Sequence, residues 1–317
     1  MTSIGIIGAG AIGGWIAARL ALAGEPVSML ARGATLAALQ RGGISVTQDH
    51  SISQVAVRAS DDAQRLGVQD VLVIAVKAPA LADAAIAAGP MIGPGTIIVP
   101  MLNGVPWWFT DEPLSSVDPA GRIAAALPAS QMLGCVVHAA CSRRATNEIV
   151  VAHADRLIFG EPAGGSGERV EKLGALFERA GIRVEQSDDV RRAIWYKLWG
   201  NATINPLSAL TRSTADKLLA DPILRAWMLE AMAELAVVGA AIGCPIAESG
   251  EDRLAVTARL GAFKTSMLQD VDAGRPIELE ALLGAPREIA ARAGLPTPQL
   301  DRLYALTRLM GENLGLV

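Results

Sequence analysis

The stretch Trp195-Tyr196-Lys197-Leu198-Trp199-Gly200-Asn201-Ala202-Thr203-Ile204-Asn205-Pro206-Leu207-Ser208 most constrains what this chain can fold into. At helical period Lys197, Asn201 and Asn205 stand four apart, on one face within about 80° of arc. Ile194, Trp195, Leu198, Trp199 and Ala202 cover most of the remaining circumference. A surface helix sets its polar stripe among charges, whereas this one sets a cation and two amides in apolar surroundings. The pattern predicts a helix buried on most sides, with a narrow polar line facing a cleft. Only five lysines stand against 23 arginines, so a lysine on that line is not background usage. Lysine, unlike arginine, gives up its proton where its surroundings disfavour the charge. The bland alternative is a partly buried lysine beside two packing or capping asparagines.

The chain opens with an apolar segment that ends Ala21-Leu22-Ala23-Gly24. It lacks the basic start of a signal peptide and is broken by glycines at 8, 10, 13 and 14. It reads as a strand (Ser3 to Ile7), a tight turn and a helix (Ala11 to Ala23). Between them Gly8-Ala9-Gly10-Ala11-Ile12-Gly13 is a G-x-G-x-x-G fingerprint. Its first glycine permits the turn, its second lets a pyrophosphate approach the backbone, and its third lets helix pack on strand. Free amides at the helix start then face the phosphates. A dinucleotide cofactor is expected.

Pro26 to Ala31 reads as the second strand, followed by Arg32. NAD-binding chains usually carry an acid here for the ribose 2′-hydroxyl. A guanidinium instead suits a 2′-phosphate through forked, charge-assisted bonds, so the expected cofactor is NADP (NADPH). Further strands are expected at Val55 to Ala59, Asp70 to Val76 and Thr96 to Leu102. The continuous apolar run 70–76 suits a parallel strand covered on both faces. Lys77 and Asn103 follow two successive strand ends, where open α/β sheets place their ligand crevice. Either could also be an ordinary turn residue, since Asn-Gly is a common turn pair. Trp107 and Trp108 could wall that crevice or simply pack.

Shorter strands are expected at Gln131 to His138, Glu148 to His153 and Arg156 to Gly160. A helix over Glu168 to Ala180 and a strand from Ile182 to Glu185 follow. Beyond Ser187-Asp188-Asp189 the pattern turns helical, over 189–210, 214–242, 248–268, 278–293 and 298–313. At 317 residues two domains are expected. They are 1–187, a Rossmann-type dinucleotide-binding domain, and 188–317, an all-helical substrate and catalytic domain. The fold class is therefore α/β with a helical C-terminal domain.

Half the residues are hydrophobic and the net charge is −4, with no dense basic run. Nucleic acid and membrane are therefore not expected partners. Three cysteines without metal or disulfide spacing suggest a reducing compartment, and the expected location is cytoplasmic. The three histidines lack clustered acidic or thiol companions, so no metal site is expected. A homodimer is compatible with the sequence.

The chain resembles the ketopantoate reductases (2-dehydropantoate 2-reductases) over nearly its whole length. The likeness rests on the fingerprint, Val76-Lys77-Ala78, Asn103-Gly104 and Gly134 to Ala139. It rests more specifically on Trp195 to Asn201 with Ile204-Asn205-Pro206-Leu207, on Ser266-Met267-Leu268-Gln269-Asp270, and on Glu278. The resemblance implies that Lys197 is the general acid and that Glu278 assists substrate binding and catalysis. It further implies that Asn201, Asn205 and Ser266 contact the substrate, and that Lys77 and Asn103 line the cleft. The implied reaction is NADPH-dependent reduction of 2-dehydropantoate to (R)-pantoate, a step of pantothenate and coenzyme A biosynthesis.

The chemistry of the residues agrees. Hydride delivered to a 2-oxo carbon leaves charge growing on oxygen, which a nearby cation able to donate a proton stabilises. Glu278 could instead be an ordinary acid in the first turn of a helix, and Ser266 a cap at the end of one. The chain departs from the family's T-E-I-D-x-x-N-G pattern, reading Ile277-Glu278-Leu279-Glu280-Ala281-Leu282-Leu283-Gly284, and it has Phe263 where a polar residue is common. More carbon and fewer amides leave room for another branched 2-oxo acid, or for an imine as in an opine-type dehydrogenase. A non-catalytic nucleotide-binding regulator would not need Lys197, Asn201, Asn205 and Glu278 together.

Overall fold

The computed structural model describes all 317 residues. The chain first alternates strand and helix: β1 (Ile4–Ile7), α1 (Ala11–Leu22), β2 (Val27–Leu30), α2 (Gly33–Gly42), β3 (Ile44–Gln48), β4 (Ser51–Val55), β5 (Arg58–Ser60), α3 (Ala63–Leu66), β6 (Val71–Ile74), α4 (Leu81–Ala87) and β7 (Ile97–Pro100). Five strands run parallel in the order β5-β2-β1-β6-β7. β1 is central, with Ile7 beside both Leu30 and Ile74. Every residue of β1, β2 and β6 is buried, because helices cover both faces of a parallel sheet. This is the α/β, Rossmann-type arrangement expected.

After α5 (Arg122–Ala126) come β8 (Gly134–Ala145), β9 (Glu148–Gly160), α6 (Glu168–Arg179) and β10 (Val184–Gln186). With the β3–β4 hairpin they build a second sheet, in which β9 pairs with β8, β10 and β3. Phe177 of α6 meets Phe159 of β9 edge-on at 5.2 Å, within a core shared with Ile4, Ile6 and Trp15.

Two strand expectations are corrected, the first being that the runs 148–153 and 156–160, expected as separate strands, form the single strand β9. The run 55–59 is not one strand: Val55 ends β4 in the second sheet and Arg58 begins β5 in the first. The β3–β4 hairpin escapes the sequence reading because its two-residue turn is Asp49-His50, both at positive φ (50° and 61°), rather than the usual Asn-Gly.

The helical part comprises α7 (Val190–Thr211), α8 (Ala215–Ala220), α9 (Pro222–Ala241), α10 (Gly250–Ala258) and α11 (Ser266–Asp272). A π-helical turn (Glu280–Gly284) then leads into α12 (Ala285–Arg292), and α13 (Pro298–Leu314) follows. The expected helix 214–242 is split, because Asp221 caps the Ile223 and Leu224 amides at 2.9 Å and Pro222 opens a new helix. The expected helix 248–268 ends at Ala258. Thr265 caps the Leu268 amide at 3.3 Å, so Ser266 opens a helix rather than closing one.

α7 is buried on most sides, as its sequence requires. Trp195, Leu198, Trp199, Ala202 and Thr203 are each at most 2% exposed. The Trp195 and Trp199 indole N–H groups donate to the Leu235 and Met232 carbonyls of α9, at 3.1 and 2.7 Å.

Contacts divide the chain into two compact units. One is Met1–Leu102 with Gly121–Val190, and the other is Asn103–Ala120 with Arg191–Val317. The expected division at 187/188 leaves 103–120 in the first domain, whereas its contacts belong to the helical unit. Phe109 stacks on Trp195 at 5.9 Å, and the Ser115 and Ser116 amides donate to the Glu288 carboxylate at 3.0 and 2.8 Å. No helix is long and apolar enough to cross a membrane.

Candidate functional site

In the first unit the fingerprint glycines each do what their spacing implies. Gly8 has φ of 100°, and a Cβ there would stand 2.5 Å from the Ala75 carbonyl oxygen. A Cβ on Gly13 would stand 2.0 Å from the Gly8 oxygen, so α1 can lie against its own turn only with glycine there. A Cβ on Gly10 would meet nothing closer than 4.0 Å, which leaves an open surface over the turn. Gly10 is also the N-cap of α1, with no side-chain cap and no acid in the first turn. The first amides are thus available to an anion, as a pyrophosphate requires. Ala9, Ala11 and Ile12 are half-buried around them. These residues fit a dinucleotide.

Arg32 follows β2, is exposed, and heads α2, whose first turn holds no acid. Lys77 heads a short 3-10 turn after β6 and is half-buried. Gly8, Arg32 and Lys77 therefore stand just past the carboxyl ends of three neighbouring parallel strands.

In the helical unit the polar line on α7 meets residues brought from far along the chain. Lys197 and Asn201 are half-buried, and Asn205 is 4% exposed. Asn201 donates from Nδ2 to Asn103 Oδ1 at 2.9 Å, and Asn205 Nδ2 approaches Ser266 Oγ at 3.4 Å. Asn103 is held in place by the two residues that follow it, Gly104 and Val105. Gly104 has φ of 90°, and a Cβ there would stand 2.4 Å from the Ala281 oxygen; the Val105 amide donates to that same oxygen at 2.8 Å. Glu278 lies three residues ahead of Ala281, half-buried between the buried Ile277 and Leu279. The Ile277 amide donates to the Leu316 oxygen at 3.0 Å, and the Glu278 carbonyl accepts the Leu282 amide at 3.2 Å. Glu278 thus stands two residues ahead of the π-helical turn, a local geometry frequent at functional sites.

Glu280, which replaces the family's aspartate, has an occupation of its own. Its Oε1 accepts the Tyr304 hydroxyl at 2.8 Å, and a Cβ on Gly284 would stand 1.9 Å from its Oε2. Burial and then Glu280 push the Tyr304 phenol's pKa up. Trp107 is 6% exposed and belongs to the packing of its unit.

The sequence reading did not foresee the return of 103–120 to the helical unit, nor its tether at Glu288. Asn103-Gly104 carries a local signal, because a glycine directly after a candidate ligand suggests a close backbone approach. Ser115-Ser116 carries none.

One ammonium, one carboxylate, three amides and a hydroxyl in one apolar unit can orient a polar carbonyl compound and pass it a proton. Comparison with known proteins identifies the lineage. The family described as ketopantoate reductase PanE/ApbA matches residues 4–164, and its C-terminal part matches 189–311. This chain belongs to the ketopantoate reductase family. It is thus an oxidoreductase of a dinucleotide-binding family. A 2-dehydropantoate 2-reductase of Mesorhizobium japonicum is 39% identical over 98% of both chains. A crystal structure from Ralstonia solanacearum MolK2 is 51% identical, with a TM-score of 0.97 over 100% of this chain and 99% of that one. The structure of 2-dehydropantoate 2-reductase from Methylococcus capsulatus is 29% identical, with a TM-score of 0.85 over 98% and 97%.

Proposed function

We propose that this chain reduces a 2-oxo acid with NADPH, the leading reaction being 2-dehydropantoate to (R)-pantoate. The observation that carries the reading is the polar line of α7, where Asn201 and Asn205, one and two turns after Lys197, meet Asn103 and Ser266 from 98 and 61 positions away. The likeness to 2-dehydropantoate 2-reductases supports the substrate. Gly8, Gly10 and Gly13 with the amides of α1 hold the pyrophosphate, Arg32 takes the 2′-phosphate, and Lys77 lines the same sheet edge. Bound NADPH supplies a hydride to the carbonyl carbon.

Lys197 donates its proton to the oxygen on which charge develops: an O–H bond forms as an ammonium N–H breaks. Glu278 supports substrate and lysine as the acidic partner. Asn201, fixed by Asn103, and Asn205, beside Ser266, orient the substrate's polar groups. A cytoplasmic location is proposed on the same reading, since no disulfide joins the three cysteines.

Glu280 is engaged by Tyr304 and the family's asparagine is absent, which favours, as a second reading, a branched 2-oxo acid with fewer hydroxyls. A panel of 2-oxo acids assayed by loss of nicotinamide absorbance separates the two. Turnover of 2-dehydropantoate above its dehydroxylated analogue supports the first reading, and the reverse order supports the second. Absence of turnover with every 2-oxo acid would sink both.

A further inference from the structure

The π-helical turn decides where one carbonyl points. In an α-helix the Ala285 amide would return four residues, to Ala281. Here it donates to the Glu280 oxygen, five residues back. The next residue, Pro286, has no N–H to offer. The Ala281 oxygen is therefore left over by its own helix, and it accepts the Val105 amide at 2.8 Å. Gly104 packs against the same carbonyl, since a Cβ there would collide with it. The register of the turn thus sets the two residues that follow Asn103. Asn103 in its place accepts the Asn201 side-chain N–H at 2.9 Å.

One side chain is wedged into this register. π-Helical pairing is rare, α-pairing being the ordinary outcome for a helical segment. Glu280 folds back over its own turn, and a Cβ on Gly284 would collide with its Oε2. Its Oε1 accepts the Tyr304 hydroxyl of α13 at 2.8 Å. The phenol is itself held: the Arg287 Cζ stands 4.1 Å from its ring centroid, and Arg287 Nε donates to Asp301 at 2.6 Å. The chain just past α13 grips the segment ahead of the turn, where the Leu316 oxygen accepts the Ile277 amide at 3.0 Å. We propose that Tyr304 is a positioning residue of the reaction. By holding Glu280 it keeps the turn in its π register, and so keeps Asn103 where it orients Asn201 for the substrate. The inference rests on the 2-oxo acid reductase reading. Glu280 is then a support beneath the site and not a group that the substrate meets.

The test pairs Tyr304→Phe, which removes only the hydroxyl, with Asn103→Ala. Amide hydrogen exchange at Val105 reads the register without any turnover, and Tyr304→Phe should speed it roughly tenfold, the scale of one hydrogen bond. On a 2-oxo acid that the wild type reduces, Tyr304→Phe should lower kcat/KM roughly three- to tenfold, with NADPH affinity unchanged. In the Asn103→Ala background the same change should cost roughly twofold at most, because the contact through which it acts is gone. A merely structural role would give the same factor in both backgrounds. Glu280→Ala should repeat the loss, whereas Glu280→Gln, which keeps an acceptor for the hydroxyl, should lose less. Equal losses in the two backgrounds, or unchanged exchange at Val105, overturn the inference while the reductase reading stands. If Tyr304→Phe does not fold, Glu280→Ala decides by the same comparison. A wild type that reduces no 2-oxo acid overturns the reductase reading and this inference with it.

Discussion

Asn201 donates its side-chain N–H to Asn103 Oδ1 at 2.9 Å, across 98 positions of sequence. One partner lies on the long buried helix and the other just past the last strand of the parallel sheet. Local sequence supplies two amides, but only their pairing fixes which way each one points. An oriented Asn201 is what a substrate can read.

The pairing predicts energetic coupling between the two residues. Asn103→Ala and Asn201→Ala should each lower stability, and the double variant should cost less than their sum by about 0.5–1.5 kcal/mol, the usual worth of one hydrogen bond. Urea unfolding of the four proteins measures it. Strict additivity would mean that the bond contributes nothing.

Lys197→Ala should lower kcat on the 2-oxo acid by about 10²–10⁴-fold, the worth of a positioned acid. NADPH affinity should be nearly intact, because the fingerprint glycines and Arg32 belong to the other unit. Lys197→Arg should not restore the rate, since arginine keeps its proton. The alkaline fall in rate that a lysine acid imposes should disappear in Lys197→Ala. A variant at near wild-type rate with that limb retained would move the acid elsewhere, to Lys77 first.

Arg32→Ala should weaken NADPH by roughly 1.5–3 kcal/mol and leave NADH almost unchanged. Fluorescence titration with both cofactors checks it. The same loss for both would show that Arg32 does not read the phosphate.

Glu288 makes the tether of 103–120 sensitive to acid. Burial tends to raise its pKa, but bonds from Ser116 and Ser115 outweigh it and hold the carboxyl at about 2 against an ordinary 4.5. Arg292 also donates to it at 2.6 Å. A depressed carboxylate stabilises the fold above its unfolded value, and that contribution is lost as pH falls from 4.5 towards 2. Glu288→Gln should therefore cost about 1.5–3 kcal/mol at neutral pH. The gap from wild type should close progressively below pH 4.5. Urea unfolding at several pH values reads it, and a gap that persists unchanged at pH 3 would contradict the tether.

The sequence by itself determined the fold class and the local identity of most site residues. Gly8, Gly10 and Gly13 impose a turn and a close helix approach through backbone sterics, which act over six residues whatever surrounds them. The burial of α7 was legible for the same reason: tryptophans and leucines around a polar line leave a helix few other environments. The breaks at Asp221-Pro222 and at Thr265 were written in capping residues, yet the apolar periodicity on either side masked them.

What only the tertiary structure decided is long-range. Asn103 reaches Asn201, Ser266 reaches Asn205, Arg253 comes to rest on Gly200, and Ser115-Ser116 turn to Glu288. Each contact joins residues dozens of positions apart or more, where no periodicity or spacing reports proximity. Burial of an apolar face is nearly non-directional and shows in composition and pattern. A hydrogen bond or an ion site demands distance and angle, and those are set only once the helices and loops have packed.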